Sequence, residues 1–166
     1  MSTYHVNFTA GGTGNWERPV RIDNNLYKVG FEAHLAHRLV FENGHTVHLR
    51  ARYAGVDAIS ADGSLPVDAG YGHIECRDED GDWLSGRVDW EGLEGPEGDH
   101  ASGGVFTFSD GSGKWEGANG TIEGRLWFVF EDPESSTFPE LPPTKPVRVY
   151  GFIQGEGKLT APNLQI

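Results

Sequence analysis

Apolar and polar residues alternate along much of this chain with a period of two. Tyr4, Val6 and Phe8 alternate with polar neighbours, as do Tyr27, Val29, Phe31, Ala33 and Leu35, and then Val47, Leu49, Ala51 and Tyr53. Ile74, Cys76, Leu84, Val88 and Trp90 continue the pattern, followed by Phe106 and Phe108 and by the runs 122–130 and 147–153. Side chains on a strand point alternately to its two faces, so this period predicts half-buried antiparallel strands. Helical stripes at i, i+3, i+4 and i+7 are nearly absent.

The turns help to set register. Around Asn43-Gly44, a two-residue turn would place Leu39 opposite His48, an apolar residue against a polar one. An odd-numbered loop around Gly44 instead pairs Phe41 with Val47 and Leu39 with Leu49, keeping the apolar face intact. By the same logic a loop centred on Asp80 pairs Arg77 with Trp83. Ile74, Cys76, Leu84, Val88 and Trp90 then share one face, and Tyr71, His73, Glu75, Trp83, Ser85, Arg87 and Asp89 share the other. Residues 91–104, rich in Gly, Asp and Glu, read as a long loop, and residues 131–146, with five prolines, as an extended, rigid excursion.

Neither segment separates two cores, so residues 1–166 form one domain. The expected fold is all-β: a single closed antiparallel β-barrel of about eight or more strands, preferred over a β-sandwich because closure removes exposed edges.

Composition narrows the function. The chain has 24 glycines without a collagen-like period, as expected of many turns and bulges. Its net charge of −12, with no Lys/Arg cluster, argues against nucleic acid and anionic membranes as partners. Cys76 is the single cysteine, so no intrachain disulfide forms. With no signal-like N-terminal segment and no membrane-length apolar run, a cytoplasmic location is expected.

From position 103 the chain reads GGVFTFSDGSGKWEGANGTIEGRLWFVF, and it finishes with VRVYGFIQGEGKLTAP followed by four residues. A strand, a G-S-G-K-W-E-G-A-N-G turn, a long strand and a G-x-G-x-L strand resemble the allene oxide cyclase and dirigent-like barrels. The matching positions are Gly111, Ser112, Gly113, Lys114, Trp115, Gly117, Ala118 and Gly120. The resemblance implies a cavity within the barrel that handles small, mostly apolar substrates without a redox cofactor, in a homodimer or homotrimer. It carries over no catalytic residue. In physical terms the glycines suit sharp corners and Trp115 suits a plug at a barrel end; the spacing matches no phosphate-binding loop.

Two clusters compete as candidate chemistry. Tyr71, His73 and Glu75 face Ser85, Arg87 and Asp89 across the 71–90 hairpin, where Glu75 would move a proton and Arg87 would hold a developing anion. The bland alternative is a wet outer face with cross-strand ion pairs. If the apolar faces point inward, His37 follows Leu35 on that side as a general base near Tyr53, or as a hydrogen-bonded core histidine. One register cannot place His37, Glu75 and Arg87 all inside. Tyr27, Tyr53, Trp90, Arg125, Trp127 and Tyr150 are the expected substrate-binding residues. His34 and His37, three apart on a strand, point to opposite faces and cannot chelate together, and the lone His73-Ile74-Glu75 is a weak metal motif; no metal or cofactor is expected. The leading functional expectation is a cofactor-independent isomerase, cyclase or lyase acting on a small hydrophobic or aromatic molecule inside the barrel. The alternatives are a non-catalytic, lipocalin-like carrier and a structural protein with a filled barrel.

Overall fold

The computed structural model describes residues 2–17, 19–60, 70–92, 101–131 and 147–166. Among these residues nine strands run in chain order: β1 (Thr3–Trp16), β2 (Val20–Arg21), β3 (Leu26–Phe41), β4 (Thr46–Ser60), β5 (Gly70–Arg77), β6 (Trp83–Gly92), β7 (Ala101–Gly111), β8 (Asn119–Phe130) and β9 (Val147–Thr160). Among the described residues a single 3-10 turn, Gly113–Trp115, interrupts them. All pairings are antiparallel between neighbours, and β1 pairs with both β9 and β3. The sheet is therefore a closed up-and-down barrel of eight strands, with the short β2 added along β3.

Apolar residues of one parity on each strand fill the interior. Val6, Phe8, Leu39, Phe41, Ile74, Cys76, Leu84, Val88, Phe106, Ile122 and Leu159 are buried in one large cluster. A second, smaller cluster of Trp16, Val29, Phe128, Phe130, Val147 and Val149 occupies one end, and Phe31 and Leu126 pack against both. Burying each such side chain contributes about 1.5–3 kcal/mol, so period two in the sequence dictates which face turns inward.

Register follows the expected parity, with one correction. Arg77 lies opposite Trp83 as expected, with Gly81 at φ 89° in the turn. The Asn43-Gly44 loop is odd-numbered, but Leu39 pairs with Val47 and His37 with Leu49, two residues from the expected register. Gly44 at φ 86° ends a three-residue loop, and the Gly44 amide donates to the Phe41 carbonyl oxygen at 2.8 Å. That tight turn closes earlier than the loop inferred from apolar matching alone.

Three strands extend further than the alternation suggested. β1 continues through Gly11, Gly12 and Gly14 to Trp16, β4 runs to Ser60, and β7 begins at Ala101, within the expected loop 91–104. Glycine at position 12 reflects close packing: a Cβ there would run into the backbone of His34 and Leu35. The proline-rich excursion expected at 131–146 lies, from residue 132 onward, outside the described residues.

One end of the barrel is closed by a polar lock around Trp115, which is fully buried. The Trp115 indole N–H donates to Asp78 Oδ2 at 2.9 Å, and Lys114 Nζ sits 3.1 Å from the same oxygen and 2.6 Å from Asp80. Asp78 Oδ1 accepts the backbone N–H groups of Asp80 and Asp82 at 2.9 and 3.0 Å. Desolvation pushes the Asp78 carboxyl upward, but the hydrogen bonds from Trp115, Lys114 and the Asp80 backbone outweigh it and hold its pKa below the ordinary value. The glycine-rich turn is thus structural: Gly113 and Gly117 take φ of 56° and 74° to fold it beneath the strands.

Candidate functional site

At the opposite end, a cavity of about 80 Å³ opens between the two apolar clusters. Trp16 and Gly14 come from β1, Phe31 and Leu35 from β3, Tyr53 and Asp57 from β4, Trp90 from β6, Leu126 and Phe128 from β8, and Val149 and Ile153 from β9. The walls are almost wholly aromatic and aliphatic. Asp57 is the one acidic side chain among the described lining residues.

Asp57 reaches this position because it continues the inward face of β4: Ala51, Tyr53, Gly55, Asp57. Trp16 likewise ends the inward face of β1. The Trp16 indole N–H donates to Asp57 Oδ2 at 2.5 Å, joining two strands that flank β3. Desolvation is the main influence on the carboxyl; the Trp16 hydrogen bond and the nearby Lys28 charge only partly oppose it, and the pKa is raised to about 7. A carboxyl of that kind exchanges a proton near neutrality.

Deeper in the barrel a second polar group interrupts the apolar core. His37 is 1% exposed, with its Nε2 2.6 Å from the Tyr53 hydroxyl and its Nδ1 3.7 Å from Cys76 Sγ. The Phe8 ring meets the imidazole edge-on, with centroids 4.8 Å apart. Desolvation lowers the His37 pKa to about 3 and raises those of Tyr53 and Cys76, so all three groups stay uncharged at neutral pH.

The sequence-predicted residues divide by strand face. His37 is inside, but its role is to bond Tyr53 rather than to line the cavity, and at a pKa of about 3 it is a weak base. Glu75 and Arg87 require correction as interior groups, because they alternate with buried Ile74, Cys76 and Val88 and so point outward. Glu75 pairs with Arg77 at 2.9 Å, while Arg87 pairs with Asp89 at 2.6 Å and lies over the Tyr71 ring. The hairpin's polar face is thus the solvated outer wall.

Among the expected binding residues, Tyr53 and Trp90 line the cavity. Tyr27 is buried closer to the mouth, where its hydroxyl accepts from Arg21 at 3.2 Å, and it is not part of the lining. Arg125, Trp127 and Tyr150 sit on the outward parity of β8 and β9, between inward Leu126, Phe128, Val149 and Gly151; the Arg125 guanidinium lies over the Trp127 ring, 5.3 Å from its centroid. These three are corrected from cavity wall to outer surface, because the inward parity of both strands belongs to their neighbours.

Asp57 and Trp16 went unselected by sequence reasoning. The signal was present as an acidic residue and a tryptophan on the continuing apolar parity of two strands. Glycines at 11, 12, 14 and 55 interrupted the visible alternation before either was reached.

No helix of the described residues is long and apolar enough to cross a membrane. Comparison of the chain with protein-family models, with curated proteins and with solved structures finds no match.

Proposed function

We propose that the protein is a cofactor-independent isomerase, cyclase or lyase acting on a small hydrophobic metabolite held in the barrel mouth, with Asp57 as the proton-transferring group. The observation that carries this reading is a carboxyl with a pKa of about 7 inside an otherwise apolar, aromatic cavity. A pure carrier has no need of an ionisable group there, and burying one is costly unless it is used. Asp57 as carboxylate takes a proton from the bound molecule and, once protonated, returns it to another atom of the same molecule. Such a shift balances without an external oxidant or reductant. Trp16 fixes the orientation of the carboxyl, and the walls hold the substrate in a reactive fold, a contribution of several kcal/mol in well-oriented cases. The resemblance of the 103–166 stretch to allene oxide cyclase and dirigent-like barrels supports the same class of chemistry.

The apolar walls favour one rival, a lipocalin-like carrier. Native mass spectrometry of the purified protein, followed by solvent extraction, identifies an apolar molecule that travels with it. Incubating that molecule with the wild type and with Asp57→Asn separates the readings. Conversion by the wild type alone supports the enzyme; binding by both proteins without conversion by either overturns it in favour of the carrier.

A further inference from the structure

The Asp57 carboxyl is held inside the barrel rather than in the plane of the sheet. Asp57 lies opposite Val29 on one side of β3, and Trp16 lies opposite Phe31 on the other. The hydrogen bond from the Trp16 indole to Asp57 therefore crosses the inner face of β3, among the side chains that line the cavity. An indole N–H occupies part of a carboxylate's accepting capacity but leaves its charge uncompensated.

Nothing nearby in the described structure supplies that compensation. No ion pair among the described residues includes Asp57. Lys28 acts on it only from the outward parity of β3, between buried Tyr27 and Val29. Tyr53, on the same wall, stays uncharged. None of the described lining residues is basic.

These facts sort ligands by charge. An anion would meet a carboxyl and no cation to receive it. A neutral apolar molecule would seal the carboxyl away from water with no partner for its charge. A cation supplies the partner, and contact with it favours the ionised carboxylate. The aromatic walls, Phe31 and Trp90 among them, suit the same choice, because the face of an aromatic ring attracts an organic cation. The net charge of −12 acts in the same sense at long range, drawing cations towards the protein and repelling anions.

We infer that the ligand is a small apolar amine whose ammonium group pairs with Asp57 while its hydrocarbon part lies against the aromatic walls. This rests on the reading of the cavity as the ligand site and adds the charge class of the molecule. Amines are admitted, and carboxylates such as fatty acids are refused. The volume of about 80 Å³ suits a compact hydrocarbon part rather than a long chain.

The test is an NMR titration, with the indole N–H signals as reporters, using three probes built on one ring: benzylamine, benzyl alcohol and benzoate. At about pH 8 benzylamine is expected to bind at least about tenfold more tightly than benzyl alcohol, the effect of one charge-assisted hydrogen bond, and benzoate not at all. The amine's affinity should fall as the pH is lowered to about 5.5 and Asp57 gains its proton, while that of the alcohol should not. In Asp57→Asn the amine's advantage should disappear. Binding of the alcohol or of benzoate as tight as that of the amine at about pH 8 overturns the inference and leaves the cavity reading in place. An amine advantage that survives Asp57→Asn does the same. Failure of all three probes to bind removes the cavity as a ligand site, and both readings with it. Should Asp57→Asn not fold, the wild-type order of affinities and its pH dependence decide.

Discussion

The indole of Trp16 and the carboxyl of Asp57 are 41 residues apart in sequence and 2.5 Å apart in the barrel, reaching across β3 from the strands on either side. This contact ties the end of the first strand to the polar group of the cavity. Orientation and proton affinity of Asp57 therefore depend on a residue from another part of the chain.

The raised pKa of Asp57 has a thermodynamic signature. In the unfolded chain the group titrates near its ordinary 3.8, and in the fold near about 7. Between those values the folded state binds the extra proton. Stability linked to Asp57 is thus fully present at low pH and is lost as pH rises through about 7. At about 1.36 kcal/mol per unit the effect amounts to at most about 4 kcal/mol. Urea unfolding of wild type and Asp57→Asn at about pH 5 and about pH 8 should show the wild type losing more stability on going to the higher pH. Parallel behaviour of the two proteins would contradict the assigned environment.

Asp78 should behave in the opposite sense. Its pKa is held low, so the stability it contributes is present above the ordinary carboxylate range and is lost as pH falls through the lowered value. Asp78→Ala removes the acceptor of the buried Trp115 indole and of two backbone N–H groups, at an expected cost of about 3 kcal/mol. Chemical denaturation at neutral pH measures this, and a loss below about 1 kcal/mol would mean that the lock contributes little.

Cys76 is fully buried, and burial pushes its thiol up. The native protein should therefore give almost no reaction with a disulfide-exchange reagent over minutes, and one thiol per chain after unfolding in guanidinium. Rapid labelling of the native state would show that the interior opens far more readily than its packing implies.

Gly12→Ala tests the close approach of β1 and β3. The added methyl group has no room against the backbone of His34 and Leu35, so a loss of about 2 kcal/mol or more is expected. Thermal unfolding reads the effect directly; an unchanged Tm would show that the strands separate at little cost.

The barrel was legible in the sequence because its interior obeys parity. Phe8, Leu49 and Ile74 each announce a buried face through a polar neighbour on either side, and closure follows from the need to satisfy strand edges. The site was less legible. Asp57 belongs to the same parity as Tyr53, but Gly55 carries no side chain to mark the pattern between them. The cationic and carboxylate residues that drew attention instead, around Glu75 and Arg87, show how an exposed sheet face imitates an active site: charges pair there along a single strand, Glu75 with Arg77 and Arg87 with Asp89, because solvated pairing is cheap. His37 was visible as a polar exception on an apolar face, but only three dimensions show that Tyr53 and Cys76 surround it.

Closure of the barrel through β1 and β9 also has a kinetic meaning. Thr3 pairs with Thr160, so the last ladder to zip joins segments 157 residues apart. Local hairpins from β3 to β8 form with short loops or single turns, but this seam must wait for a long and entropically unfavourable search. Until it forms, β1 and β9 both present unpaired edges, and the cavity wall where Gly14 of β1 meets Val149 of β9 is open. The pocket is therefore an all-or-none property of the closed barrel: a half-zipped barrel has a sticky rim and no pocket, and a molecule that bound across the seam would act as its clasp.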